Sequence, residues 1–580
     1  VRAALAAAAV GALALAAGAQ AATTPTAPVY DPRGRLVDAP FAPAPEEPRL
    51  GEAAATRVFL AHGKVRSWLD RYPPDPVTDA TFDRKTRLWR VRVWSGRAGQ
   101  VADGRVEDRS GRVTEAWTGP QVAWSMARGS RGAFGGKILN EPAVWITLCA
   151  AFVLGLANLR RPLSLRNLDL LVLVAFSVSL WFFNRGEIFR SVPLVYPPLA
   201  YLLVRTAVIG FGGRSERRPV PVWPVWLLAA LAVFLAGFRV GLNVQAPRTV
   251  IDVGYASVIG GQRIVDGEAP YGNMPVEAGR PACGEADRDG RIRERVQTNG
   301  RCEASNERGD TYGPVAYLAY VPAVLSLGWS GKWDALPAAH ATAIAFDLLT
   351  MLGLALVGRR FGGARLAATL AFAWAAYPFT TYVLMSNSND ALMPAFLVWG
   401  FWLATSPAAR GGLSALAGWT KFGALLVVPL WLCYPELRAR TALRFAAGFA
   451  AASAAAFSVL LLEPSLTGAL STFWERTFGF QLGRDSPFSP WGWGQYHAAG
   501  IPDLALAQTA LQAGVIALAG VAAVVPTRKG PLQLAALTAA LLLAFQLVLT
   551  HWFYLYLPWA LPFVVLALFL PRPEADARPA

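Results

Sequence analysis

The chain has 580 residues, of which 54% are hydrophobic and only 16% charged, with a mean hydropathy of +0.36. Soluble domains carry about a quarter charged residues, so a water-soluble globular chain is excluded. The net charge of +16 does not point to nucleic acid, because most of the arginine excess outside the N-terminal domain lies in short loops between apolar runs, the positive-inside pattern of membrane proteins.

Residues 1–21 read as an export signal: Arg2 precedes an Ala/Leu run, and Ala19-Gln20-Ala21 fits small-x-small cleavage. Residues 22–55 are rich in Ala, Pro and Thr without periodicity and are predicted to be a disordered linker. A small α+β module is expected over 56–140. Val58, Leu60, Val65 and Leu69 predict a short helix ending before Tyr72-Pro73-Pro74. The alternation Leu88-Trp89-Arg90-Val91-Arg92-Val93-Trp94 predicts a half-buried strand. A further strand, Gly99 to Asp108, turns at Ser110-Gly111 into Arg112-Val113-Thr114.

Beyond residue 140 the chain reads as a polytopic α-helical membrane protein of about 12–13 segments. Three accessory segments fill 141–221, near 143–158, 169–184 and 192–209, with Arg160, Arg161 and Arg166 after the first and Arg214, Arg217 and Arg218 after the third. The core, 222–570, opens with a segment near 222–243 that releases a polar loop over 244–335. Within that loop Val315 to Leu327 is too short to span and reads as an interfacial helix. A segment near 337–358 ends at Arg359, Arg360 and Arg365, and segments near 366–384 and 390–406 flank the tip Ser386-Asn387-Ser388-Asn389-Asp390. Residues 411–434 have arginines on both flanks, which two half-helices meeting at Thr420-Lys421 reconcile. Segments near 445–462, 503–525, 531–549 and 553–570 complete the core, with a loop over 463–502 and a cytoplasmic tail, 571–580.

One orientation in a cell (inner) membrane satisfies nearly every arginine cluster. It puts the N-terminal module, the two long loops, the Asn387 tip, Lys421 and His551 outside and the C-terminus in the cytoplasm. Cys149 and Cys433 fall in apolar runs and read as small core residues. Cys283 and Cys302 share the outer loop, where disulfides persist, and are predicted to pair.

The stretch "VIDVGYASVIGGQRIVDGEAPYGNMP" carries the best chemical candidate, Asp252, a carboxylate directly after a membrane exit that would serve as general base for a hydroxyl. Asn387, Asn389 and Asp390 sit at an outer helix start, where they favour N-capping. Arg484, in the aromatic "GRDSPFSPWGWGQY", and His551 are candidates for holding phosphate or sugar. Asp287-Arg288-Asp289 imitates a metal-binding DxD by chance in a charged loop. There is no GxxxxGK[ST] or HExxH, so ATP-driven transport and zinc hydrolysis are not expected.

The Asp after a span, the "APYG" turn, "TYGPVAYLAYVP", "GWTKFGALLVVPL" and the terminal "HWFYLYLPW", in this order, resemble the polyprenyl-phosphate-sugar-dependent glycosyltransferases of the GT-C fold. The closest group is their actinobacterial mannosyltransferase-like integral membrane family. The resemblance covers roughly residues 222–570. It implies a hexosyltransferase with Asp252 as catalytic base, Tyr312 with Asp310 beside it on the interfacial helix, and Lys421 toward the donor phosphate; His551, Arg484, Tyr255, Tyr271, Asn387 and Asn389 are further candidates, read from the residues themselves, for substrate or donor contacts. The donor would be a polyprenyl-phosphate sugar, mannose by family, and the acceptor an outer lipid or glycan. No cofactor is required; a divalent metal is compatible with this reading but not indicated. The helix, strand and strand pair ending "VEDRSGRVTEAW" are similar to PepSY modules, which implies an outer domain able to hold a partner protein. The departures are the three extra segments and the 276–309 insertion. The rival class is a lipid-carrier transporter or a non-catalytic envelope scaffold. A transporter would place ionisable groups near the bilayer midplane, where Asp347 is the main one.

Overall fold

The structure, a computed structural model, describes residues 29–38, 47–129, 134–213, 221–286, 292–333 and 336–571. The export signal, parts of the linker, Arg214, Arg217, Arg218, the Asp287-Arg288-Asp289 triplet and the tail from Arg572 lie outside the described residues. The chain divides into two units, Val1–Ser125 with Tyr496–Ile501, and Met126–Gln495 with Pro502–Ala580.

In the first unit the expected linker is partly structured. Val29–Tyr30 pairs antiparallel with Leu36–Asp38, around a turn in which Asp31 Oδ1 accepts the Arg33 and Arg35 N–H groups at 2.9 Å. The helical region starts earlier than predicted and is broken, as Glu52–Ala61 and Gly63–Leu69 with extended His62 between them. The break resets the helical phase, so the buried face is Ala55, Phe59, Val65 and Trp68. Of the four residues expected on that face, only Val65 is buried.

A four-stranded antiparallel meander follows: Val77–Asp83, Leu88–Trp94, Gln100–Glu107 and Val113–Thr118. The alternation read from the sequence holds in the second strand, where Trp89, Val91 and Val93 are buried and Arg90 pairs outward with Asp103 at 2.7 Å. The first strand was not expected. It lies at the sheet edge and only half buries its residues, so its sequence lacks the apolar alternation of an inner strand.

Asp108 anchors this unit. It is fully buried and accepts the Leu50 and Arg49 backbone N–H groups at 2.9 and 3.0 Å, Trp89 Nε1 at 3.3 Å and Arg87 Nη2 at 2.7 Å. Burial pushes its pKa up, but these donors outweigh burial and hold the carboxyl below the usual aspartate range. Its contribution to stability is therefore full above about pH 3.9 and is lost as the pH falls below it. Asp108→Ala is expected to cost about 3 kcal/mol, seen as faster hydrogen exchange over residues 88–107 at neutral pH.

The second unit is helical. Among the described residues, six helices are long and apolar enough to cross a membrane: Leu165–Phe183, Ile188–Gly212, Val225–Gln245, Pro337–Ala376, Ala439–Leu462 and Ala505–Val524. Shorter apolar helices, Pro142–Leu156, Pro531–Leu547 and Tyr554–Phe569 among them, fill most of the other predicted segments. The 40-residue Pro337–Ala376 is two rods, because Gly362 and Gly363 leave helical geometry and Gly363 takes φ +70°. The rods match the separate segments expected on either side of Arg359, Arg360 and Arg365.

The segment read as interfacial forms two short helices, Val315–Leu318 and Val321–Leu327. The half-helix pair is Pro407–Gly418, then Phe422–Val427 continuing into Val428–Leu432, with Lys421 at the junction. Asp347 is a structural group. It pairs with buried Arg239 at 2.5 Å and accepts Trp374 Nε1 at 2.9 Å, which ties the Val225–Gln245 helix to both rods. Cys283 and Cys302 form the predicted disulfide, while Cys149 and Cys433 are free.

Candidate functional site

The site is built on the helix Asp252–Val265, which starts one residue after extended Ile251. Its start is clamped to the polar tip. Ile251 N–H donates to the Ser386 carbonyl at 3.1 Å. Gly254 lies so close to the Asn387 carbonyl that a Cβ there would sit 2.1 Å from the oxygen. Asn389 Nδ2 donates to Ser257 Oγ at 3.1 Å. Asn387, in the left-handed region at φ 52°, accepts from Asn243 Nδ2 at 2.8 Å. The capping expected of Asn387, Asn389 and Asp390 falls instead to Ser388, whose side chain accepts the Asp390 N–H. The asparagines position the Asp252 helix, and Asp390 is turned to another use.

Asp390 pairs with Lys421 Nζ at 3.1 Å, with both side chains buried. The ammonium also lies over the Tyr312 ring at 4.4 Å and the Trp559 ring at 5.8 Å, a cation–π arrangement. Lys421 thus neither snorkels nor stands as an open cation. Tyr312 is held in place twice. The Tyr271 hydroxyl donates to its carbonyl at 2.9 Å, and Gly313 packs against the Trp419 carbonyl, which also accepts Val315 N–H at 3.1 Å. A Cβ on Gly313 would lie 2.0 Å from that oxygen. Gly313→Ala is therefore expected to part Tyr312 from the Lys421 turn, at a cost of about 1–3 kcal/mol. A lowered apparent melting temperature of the purified protein checks this.

The opposite side comes from the 463–502 loop and the last helix pair. Arg484 Nη2 lies 3.4 Å from His551 Nε2, and Ser486 Oγ lies 2.8 Å from His551 Nδ1. Because a guanidinium only donates, Nε2 accepts and the Nδ1–H donates to Ser486. Burial, then the charges of Arg484 and Lys421, holds His551 well below its usual pKa, so it is neutral near pH 7. Tyr556, 6.4 Å from the His551 ring, stacks on Trp559 at 4.1 Å.

Asp252 belongs to this same neighbourhood. Its side chain keeps open surface but is otherwise ringed by protein. The loss of hydration raises its pKa, against the opposing pull of the Val253 N–H, Arg484 and Lys421, while Asp390 adds to the rise. The structure thus gathers Asp252, Tyr312, Lys421, Arg484 and His551, which are scattered over 300 positions of sequence. Asp252 and Asp390 are its carboxylates, and no group of three or more metal-ligating side chains occurs among the described residues.

Other candidates lie behind this wall. Tyr255 is fully buried, stacks on Trp333 at 4.5 Å and donates its hydroxyl to the Ala304 carbonyl at 2.8 Å. Asp310 is buried, accepts Gly272 N–H at 2.8 Å and pairs with Arg476 at 3.4 Å. Burial outweighs those two partners and raises its pKa. Tyr271 supports Tyr312 through its hydroxyl. Sequence reasoning missed Ser486, Tyr556 and Trp559 as members of the site, although "HWFYLYLPW" contains two of them. Tyr556 and Trp559 stand three apart, one face of a helical start.

The chain matches no protein family, no curated protein and no solved structure.

Proposed function

We propose that this protein is a membrane glycosyltransferase that moves a hexose from a polyprenyl-phosphate donor to an acceptor hydroxyl on the outer face of the cell membrane. The observation that carries this reading is one open carboxylate, Asp252, set among Lys421, Arg484 and neutral His551. A base with a raised pKa beside cationic groups is what displacement of a lipid phosphate by a hydroxyl needs.

In this reading Asp252 takes the proton of the acceptor hydroxyl. The acceptor oxygen bonds to the anomeric carbon as the bond from that carbon to the phosphate oxygen breaks, with the electron pair leaving on the lipid phosphate. Arg484 offsets the charge gathering on the phosphate. Lys421, already balanced by Asp390, adds a weaker field and fixes the Tyr312 and Trp559 rings as walls for the sugar. The donor carries the energy, so no nucleotide is consumed. Mannose is the hexose that the resemblance favours, and the N-terminal module, placed outside by the same orientation, would hold the acceptor or a partner protein.

The test is transfer of radiolabelled hexose from polyprenyl phosphate by the purified protein in liposomes, with membrane extract as acceptor source. Label in an extractable acceptor supports the reading. Unchanged donor with every hexose supplied rejects it and leaves a transporter or scaffold.

A further inference from the structure

A cavity of about 310 Å³ lies between the turn that carries Ala269 and Tyr271 and the helix Leu466–Trp474. It is at the small end of ligand pockets, roughly 300–1,000 Å³, with room for one sugar ring and not for an oligosaccharide. Its polar feature is Glu463, whose Oε1 accepts the Ala269 N–H at 3.0 Å and Asn273 Nδ2 at 2.9 Å. Those two donors fix the carboxylate at the cavity wall and leave Oε2 without a partner among the described residues. Ser465 and Thr472 add hydroxyls, and among the described residues no lysine or arginine lines the cavity.

The sequence neighbours of the lining have the opposite character. Leu461 and Leu466 are exposed next in sequence to the lining residues Leu460 and Ser465, and Leu461 belongs to the apolar helix Ala439–Leu462. Tyr271 connects the cavity to the Asp252 site, since the residue lines the cavity and its hydroxyl donates to the Tyr312 carbonyl.

We infer that this cavity seats the headgroup of an amphiphile: a neutral, hydroxyl-rich head whose hydroxyls donate to Glu463, on an apolar tail lying against the exposed Leu461 and Leu466 that flank the lining residues. A carboxylate accepting sugar hydroxyls makes charge-assisted hydrogen bonds. An anionic head would meet Glu463 with no cation to offset it. As a binding site the inference stands alone. As the seat of the acceptor, which would then be a glycolipid and not a free glycan, it rests on the transferase reading.

The experiment irradiates the full-length protein in phosphatidylcholine nanodiscs with an alkyl β-glucoside carrying a diazirine on its chain and maps the labelled peptides. The label should concentrate in residues 460–474. It should fall about tenfold in Gly468→Phe, which fills the cavity from a helix position where a Cβ meets only Ser465 at ordinary contact distance. It should fall several-fold in Glu463→Gln, which keeps the Oε1 acceptor and removes the second one. Label spread evenly over the lipid-facing helices, or unchanged in Gly468→Phe, would overturn the inference. So would stronger labelling by an alkylammonium probe of the same chain, which would make the site a cation site. Labelling and transfer are scored separately: label at 460–474 without transfer removes the transferase and leaves the site, and transfer without that label does the reverse.

Discussion

Asp252→Asn is expected to lower the turnover of hexose transfer by about 10²–10⁴-fold, the usual span for losing a positioned general base, with the apparent melting temperature unchanged. The fold should tolerate the change because the carboxylate keeps open surface and accepts a hydrogen bond from its own neighbour, the Val253 N–H at 2.9 Å. The wild-type pH profile carries a second sign of the same group. Asp252 has a raised pKa, so activity should fall as the pH drops through a value above the ordinary ~3.9. His551, held well below its usual range and neutral throughout, should add no limb near pH 6.5. Transfer by the variant at the wild-type rate would remove Asp252 from the mechanism.

Lys421→Ala is expected to damage the fold as well as the reaction. It leaves Asp390, 1% exposed, as an uncompensated buried charge, and breaking a buried pair in this way costs about 3–5 kcal/mol. It also withdraws the ammonium from Tyr312 and Trp559. The apparent melting temperature should drop by several degrees. Lys421→Met with Asp390→Asn removes both charges together, so most of the stability should return while transfer stays low. A double variant as unstable as Lys421→Ala would show that the pair is not the source of the loss.

The membrane unit was largely legible in the sequence, because an apolar run and its flanking arginines are local features. The predicted boundaries of the segments near 222–243, 503–525 and 531–549 fall within a few residues of Val225–Gln245, Ala505–Val524 and Pro531–Leu547. The junction at Lys421 was also readable, since arginines on both flanks of 411–434 demand a reversal. Less legible was the N-terminal unit, where His62 resets the helix phase and the edge strand Val77–Asp83 buries too little to alternate. The site was legible as residues but not as roles. Nothing near Lys421 in the chain announces that Asp390, 31 positions earlier, balances its charge, nor that Ser388 caps while Asn387 and Asn389 hold the Asp252 helix. Such pairings arise only when distant segments pack. By contrast, the Cys283–Cys302 bond could be read from two thiols sharing one polar loop.

The central claim is that an acceptor hydroxyl, deprotonated at Asp252, displaces a lipid phosphate in line from a hexose. The most direct measurement is the anomeric configuration of the product formed by the purified protein from a polyprenyl-phosphate hexose of known anomer, read by NMR or by anomer-specific glycosidases. A single in-line displacement predicts a product of inverted configuration, with one polyprenyl phosphate released per hexose transferred. A product of retained configuration, or release of polyprenyl phosphate without any transferred hexose, would contradict it.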